Sequence, residues 1–154
     1  MKKLTTIASV LAAAVTLTFG LSGIVQAGTS SPAAKLQAAA NHGQSLFEHS
    51  TFGGSRRIHG APVTCNTCHQ GGGRVAGRLP NGKAIPSLVN AAAIFPRYNP
   101  NLQRVVTIEM QIQHCVRGGL QGHPPGFASK PMVDMVAYLN SIAKGQPVNS
   151  GGKP

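Results

Sequence analysis

Tryptophan is absent from these 154 residues, aromatic side chains make up 5% of them, and Asp and Glu together number only 3. Charged residues of either sign reach 11%, well below the usual quarter or so. Hydrophobic residues at 42% are nonetheless near normal, which excludes a polar disordered tail. The length argues against a multi-domain enzyme and allows one ordinary domain with extra segments. Cysteine occurs three times, so the thiols cannot all pair within one chain and a disulfide framework is excluded. There is no internal repeat and no strand-like alternation of apolar and polar residues. The aromatic shortage leaves a physical problem: something other than large rings must fill the core.

What is plentiful is positive charge, glycine and proline. Lys and Arg number 14, for a formal net charge of +11, and 19 Gly with 11 Pro indicate a loop-rich structure. Residues 1–27 read as a secretory signal peptide: Lys2 and Lys3, an apolar stretch from Leu4 to Val25, and small residues at Val25 and Ala27 before the cleavage point. The mature chain would start at Gly28 with 12 basic against 3 acidic residues, or +9. No later run is long or apolar enough to span a bilayer. An exported, periplasmic protein is expected.

Three helices are legible. Ala33–His49 is Ala-rich and spaces Leu36, Ala39, Ala40, Gly43, Leu46 and Phe47 for one face. A second helix is predicted from Thr107 as N-cap, with Glu109 in its first turn, Ile108, Ile112, Cys115 and Val116 on one face, and Gly118-Gly119 as its stop. A third is predicted to open at Pro131, to carry Met132, Met135, Val136, Leu139 and Ile142 on one face, and to close at Lys144-Gly145. Between His69 and Thr107 lies a long irregular region with three consecutive glycines and four prolines. So long a loop is out of place in a self-contained helical core unless it wraps something.

Cys65-Asn66-Thr67-Cys68-His69 names the thing wrapped. C-x-x-C-H is the attachment sequence of c-type haem. Thiols three positions apart can form thioethers to the two vinyl groups of one porphyrin, and the next histidine reaches the iron from the proximal side. Attachment takes place outside the bacterial cytoplasm, in agreement with the signal peptide. A redox C-x-x-C would need a βαβ context that is missing. A zinc site from Cys65, Cys68, Cys115 and one His would lack the usual second close-spaced pair. One covalently bound haem c, with its iron, also accounts for the scarcity of aromatics, since a large flat cofactor acts as core. The expected fold is all-α: a small cytochrome c-like domain of about three main helices around that haem. In it the Gly43/Phe47 face of the first helix crosses the Tyr138/Leu139 face of the last.

The distal iron ligand is open to four residues. Met132 and Met135 are of the commonest ligand type, but their spacing inside the last helix suits packing. His123 lies in the loop Gly122-His123-Pro124-Pro125, and Cys115 lies on the apolar face of the second helix. An unpaired thiol in an oxidising compartment is unusual.

Phe95-Pro96-Arg97-Tyr98, Thr107-Ile108-Glu109, Ile112-x-x-Cys115, Gly122-x-Pro124 and the run Met132-Val133-x-Met135-Val136-Ala137-Tyr138-Leu139 complete a pattern. From about Gly43 to Pro147 the chain resembles the haem domain of the periplasmic thiosulfate dehydrogenases and of the cytochrome A subunit of the sulfur-oxidising (Sox) system. The resemblance implies His/Cys ligation, with Cys115 as the distal ligand ahead of His123 and Met132. It implies a link to the oxidation of thiosulfate or another sulfur oxyanion. It also shows a departure. That family usually carries an arginine one helical turn before the ligand cysteine, where this chain has Gln111, which lacks the charge and the bidentate fork for an anion. Arg117 could partly substitute, so Cys115 and Arg117 are the catalytic candidates if the protein is an enzyme. The dehydrogenases usually have a second haem domain, whereas this sequence has one C-x-x-C-H, so a neighbouring cytochrome subunit is a possible partner.

The expected organisation is therefore a signal peptide over 1–27, a leader and helix start over 28–41, the cytochrome domain over 42–147, and a flexible tail over 148–154. The expected function is one-electron transfer linked to oxidation of inorganic sulfur compounds, with a thiosulfate-oxidising enzyme as the alternative. His42, His49 and His59 read as exposed polar residues, and His114 points about 100° around the helix from Cys115. Arg56, Arg57, Arg74, Arg78, Lys83, Arg97 and Arg104 form a basic rim suited to acidic redox partners or sulfur oxyanions. Nucleic acid as a partner is not expected, because no reading motif is present.

Overall fold

In the computed structural model, which describes residues 30–79 and 81–153, Ser31 starts the first element. Its side chain accepts a hydrogen bond from the Ala34 backbone N–H at 3.2 Å, and Pro32 follows at the first helical position. Helix α1 runs Pro32–His49 and buries Ala40, Gly43 and Phe47. Leu36, expected on the same face, is 64% exposed, because residues 32–38 extend past everything the helix packs on. The expected signal peptide lies outside the described residues.

Helix α1 is followed by the strands β1 (Arg57–Ile58) and β2 (Ala61–Pro62), and then by the single turn α2 (Cys65–Cys68). The stretch expected to be irregular holds β3 (Gly77–Arg78), β4 (Ala84–Ile85), the turn α3 (Ala91–Ile94), β5 (Arg97–Asn99) and β6 (Arg104–Val106). The strands pair as three antiparallel two-stranded ladders, with Arg57 opposite Pro62, Gly77 opposite Ile85 and Tyr98 opposite Val105. The all-α expectation is corrected accordingly. Ladders of two or three residues are too short for alternation to show in a sequence.

Helix α4 (Ile108–Cys115) starts where expected, with the Thr107 hydroxyl accepting from the Met110 N–H at 3.4 Å and Glu109 in the first turn. It does not stop at Gly118-Gly119. A π-helical segment, Val116–Leu120, carries the coil through both glycines to Gln121 at φ 57°. Val116 and Leu120 are buried in the core, and that burial keeps the chain wound past its helix breakers. Helix α5 (Lys130–Ile142) opens one residue earlier than expected, capped by the Ser129 hydroxyl, and Gly145 at φ 86° turns the chain away beyond it. The last residues make definite contacts: the N–H groups of Asn149 and Gly151 donate to the carbonyls of Ala93 (2.8 Å) and Ile94 (2.9 Å).

As expected, α1 and α5 cross at Gly43, and theirs is the most extensive contact between elements. A Cβ on Gly43 would overlap the Asp134 carbonyl and lie 2.9 Å from the Tyr138 Cβ. The crossing is also polar. Asp134, 2% exposed, takes His42 Nδ1 at 2.5 Å and the Lys130 ammonium on the same carboxylate oxygen. His42 is thus exposed, as expected, and also bonded to Asp134. Phe47, Met132, Met135, Tyr138 and Leu139 form the core of this crossing, with Val63, Ile112, Val116 and Leu120 joining from the other elements. No helix among the described residues is long and apolar enough to cross a membrane.

Candidate functional site

Helix α2 is a single turn held by its own ends. The Thr64 N–H donates to Thr67 Oγ1 at 3.0 Å, the two hydroxyls lie 3.3 Å apart, and the His69 N–H donates to the Cys65 carbonyl at 2.9 Å. Gly71, Gly72 and Gly73 follow, all with positive φ (59°, 65° and 86°), a backbone route open chiefly to glycine. The reversal is tied down from a distance: Tyr138 donates its hydroxyl to the Gly72 carbonyl at 2.6 Å, and Arg74 donates to that same hydroxyl oxygen at 3.0 Å. Phe47 stacks obliquely between Tyr138 (5.6 Å) and the His69 ring (6.5 Å). His69 Nδ1 lies 3.4 Å from the Pro86 carbonyl, a long contact that assigns the proton to Nδ1 and leaves Nε2 free as a ligand.

Two adjoining cavities, about 230 and 240 Å³, share Cys65, His69 and Cys115 in their linings. Phe47, Leu88, Ile94, Ile112, Met135 and Leu139 make the first almost wholly apolar, and Cys68 borders the second. The structure thus brings together four residues singled out by sequence: Cys65, Cys68, His69 and Cys115. None of the three cysteines is in a disulfide. Burial pushes the Cys65 thiol up to about 12, and burial likewise raises Cys68 and Cys115. Burial lowers His69 despite the opposing Pro86 contact, favouring the neutral imidazole that metal binding needs.

The other candidates are placed elsewhere. Met135 lines the first cavity, but Met132, 0% exposed, lines neither. His123 is exposed in its loop, where its backbone N–H donates to the Phe52 carbonyl. Arg117 is exposed and borders an outer groove with Arg104 and Phe127. Of the basic rim, Arg56, Arg57, Arg74, Arg78, Lys83 and Arg104 are exposed, whereas Arg97 lines the first cavity. Its Nε is buried with no hydrogen-bond partner, and its guanidinium stands 5.3 Å from the Phe95 ring. Its charge also opposes the rise of the Cys115 thiol. Sequence reading missed this inward turn of Arg97, and it missed Asn99, 6% exposed, which donates through Nδ2 to Gln111 Oε1 at 3.2 Å. Gln111 Nε2 in turn donates to Cys115 Sγ at 3.4 Å. The available signal was the i, i+4 spacing of Gln111 and Cys115.

Among the described residues no three of His, Cys, Asp and Glu lie close enough to form a ready metal site, although Cys65, Cys68, His69 and Cys115 border one cavity. An apolar slit with two thiols, an imidazole and a third thiol on its borders fits a flat apolar ring bound through sulfur. A buried cationic N–H lacking a partner fits the anionic groups such a ring carries.

Fold and site together define a c-type cytochrome domain. The family described as SoxA/TsdA, cytochrome c domain, matches residues 57–148, more than half of the chain, and the protein belongs to that family. It is 31% identical over 90 residues to the thiosulfate dehydrogenase of Thiomonas intermedia (strain K12), covering 58% of this chain and 26% of that protein. It is 28% identical over 91 residues to the thiosulfate dehydrogenase of Allochromatium vinosum, covering 59% and 33% respectively. The chain thus spans roughly a quarter to a third of the length of these relatives. The fold is also that of the thiosulfate dehydrogenase TsdBA from Marichromatium purpuratum, with a TM-score of 0.59 at 23% identity, covering 83% of this chain and 28% of that one. SoxXA from P. pantotrophus aligns with a TM-score of 0.53 at 19% identity, covering 77% and 37%.

Proposed function

We propose that this protein is a periplasmic single-haem cytochrome that passes one electron at a time in the oxidation of inorganic sulfur compounds. Cys65 and Cys68 hold the haem through thioethers, His69 Nε2 is the proximal ligand, and Cys115 Sγ is the distal one. The observation that carries this reading is that His69 and Cys115 border the same two adjoining cavities as the attachment cysteines. Bound haem supplies a single iron that cycles between ferric and ferrous. The chain's own residues do the rest. The Pro86 carbonyl keeps the proton on His69 Nδ1, the apolar walls exclude water, and Arg97 offers its buried Nε to a haem carboxylate. A thiolate ligand stabilises ferric iron, so the midpoint potential is low.

The carrier role is favoured by Gln111, which stands where a cation would hold a sulfur oxyanion. An enzyme oxidising thiosulfate at the open side of the haem is the second reading, and Arg97 beside Cys115 is the observation in its favour. The basic exposed rim suits acidic redox partners, a second cytochrome subunit among them.

The test is electron paramagnetic resonance of the oxidised, haem-loaded protein, followed by addition of thiosulfate. The expected result is a low-spin His/thiolate signal that Cys115→Ala abolishes, with no reduction of the haem by thiosulfate alone. Fast reduction that disappears in Cys115→Ala would make the protein an enzyme. A His/Met or His/His signal would remove Cys115 from the iron.

A further inference from the structure

The geometry points to Asn99 and Gln111 as a fixed hydrogen-bond relay that donates to the distal sulfur of Cys115 and thereby raises the haem potential above that of an unsupported thiolate. The inference rests on the ligand assignment proposed above.

The direction of the relay is set by the backbone. Asn99 Oδ1 accepts from the N–H groups of Asn101 (3.0 Å) and Leu102 (3.3 Å), at the turn that joins β5 to β6. Its oxygen is thereby committed, so the end facing α4 must be the Nδ2 donor. That donor meets Gln111 Oε1 at 3.2 Å, which commits the Gln111 carbonyl in the same way. The amide nitrogen of Gln111 is left pointing at Cys115 Sγ, at 3.4 Å. Neither amide can turn over without facing two acceptors or two donors toward each other. Sulfur is therefore always presented with a donor, which suits a thiolate better than a neutral thiol. Asn99 is buried and Gln111 half-buried, so water cannot readily replace either bond. A donor on a ligating thiolate draws electron density from the sulfur, weakens its support of ferric iron, and raises the potential. Gln111, which lacks the charge to hold an anion, thus has a positive role as a positioning and tuning residue.

The test is redox titration of the haem-loaded wild type, Gln111→Leu, Asn99→Ala and the double variant, each with its ferric spectrum. Gln111→Leu should lower the midpoint potential while the thiolate signal persists. Asn99→Ala should lower it less, because Gln111 remains but loses its anchor. Since Asn99 acts only through Gln111, the double variant should match Gln111→Leu alone. An unchanged potential in Gln111→Leu, or additive shifts in the double variant, would overturn the relay while leaving Cys115 as ligand. A wild-type ferric signal without thiolate would overturn both. Should Gln111→Leu fail to take up haem, Asn99→Ala, which leaves α4 untouched, decides by itself: a lowered potential supports the relay and an unchanged one refutes it.

Discussion

The two borders of the haem slit are held by contacts of opposite range. His69 and the glycine reversal after it are backed by Phe47 from α1 and by Tyr138 from α5, whose hydroxyl contact to Gly72 spans 66 positions of sequence. Cys115 is held by neighbours: Gln111 lies 4 residues away, and Asn99 lies 12 residues before Gln111. The His69 border thus depends on the helix crossing being intact, whereas the Cys115 border is built by one helix and the hairpin next to it. An attachment motif of one turn has too few backbone contacts to hold its own histidine, so a distant pair of helices must do so.

That difference can be broken at the crossing itself. Gly43→Ala should cost about 3 kcal/mol, because a methyl group would meet the Asp134 carbonyl, which is backbone and cannot swing aside. Thermal unfolding of the haem-loaded protein measures the loss. The absorption of the ferric haem should report a disturbed His69 side before any loss of the Cys115 signal. A second handle is acid. Burial tends to raise the Asp134 carboxyl, but the bonds and charges of Lys130 and His42 outweigh it and hold the group below its ordinary value. A depressed aspartate stabilises the fold fully above the unfolded value of about 3.9, and that contribution fades as pH falls through the lower folded value. Urea unfolding at pH 7 and near pH 3 should therefore show wild type losing about 1 kcal/mol more than Asp134→Asn, which has no carboxylate to protonate.

The smallest effects sharpen the contrast most directly. Tyr138→Phe removes the donor to Gly72 and the acceptor for Arg74, and should cost about 1 kcal/mol. Thr107→Ala removes the α4 cap and should cost about 0.5–1 kcal/mol. Spectroscopically the two should separate, with Tyr138→Phe perturbing the His69 side and Thr107→Ala the Cys115 side. Equal perturbation by both would show that the two borders are one mechanical unit.

Much of this site is legible in the linear order of residues. Cys65, Cys68 and His69 are recognisable because attachment chemistry demands that spacing. The α1/α5 crossing is recognisable because a glycine on an apolar helical face marks close approach. Other features were hidden for physical reasons. Gly118-Gly119 reads as a stop, but burial of Val116 and Leu120 outweighs the glycine cost and extends the coil. Met132 and Met135 look equivalent three positions apart, yet only Met135 lines the slit, since the roughly 60° between their directions around the helix leaves Met132 wholly within the core. Arg97 reads as one more loop cation until the β5–β6 ladder turns it inward.

The sequence by itself determined the C-x-x-C-H spacing that marks a cytochrome c domain and the extents of the first and last long helices to within a residue or two. Each depends on spacing within one or a few turns, which the covalent chain enforces. Only the tertiary structure decided which cation enters the slit, which methionine lines it, and which amide faces the third cysteine. Those choices depend on segments brought together from distant positions, where burial and the need to satisfy each polar group select one arrangement.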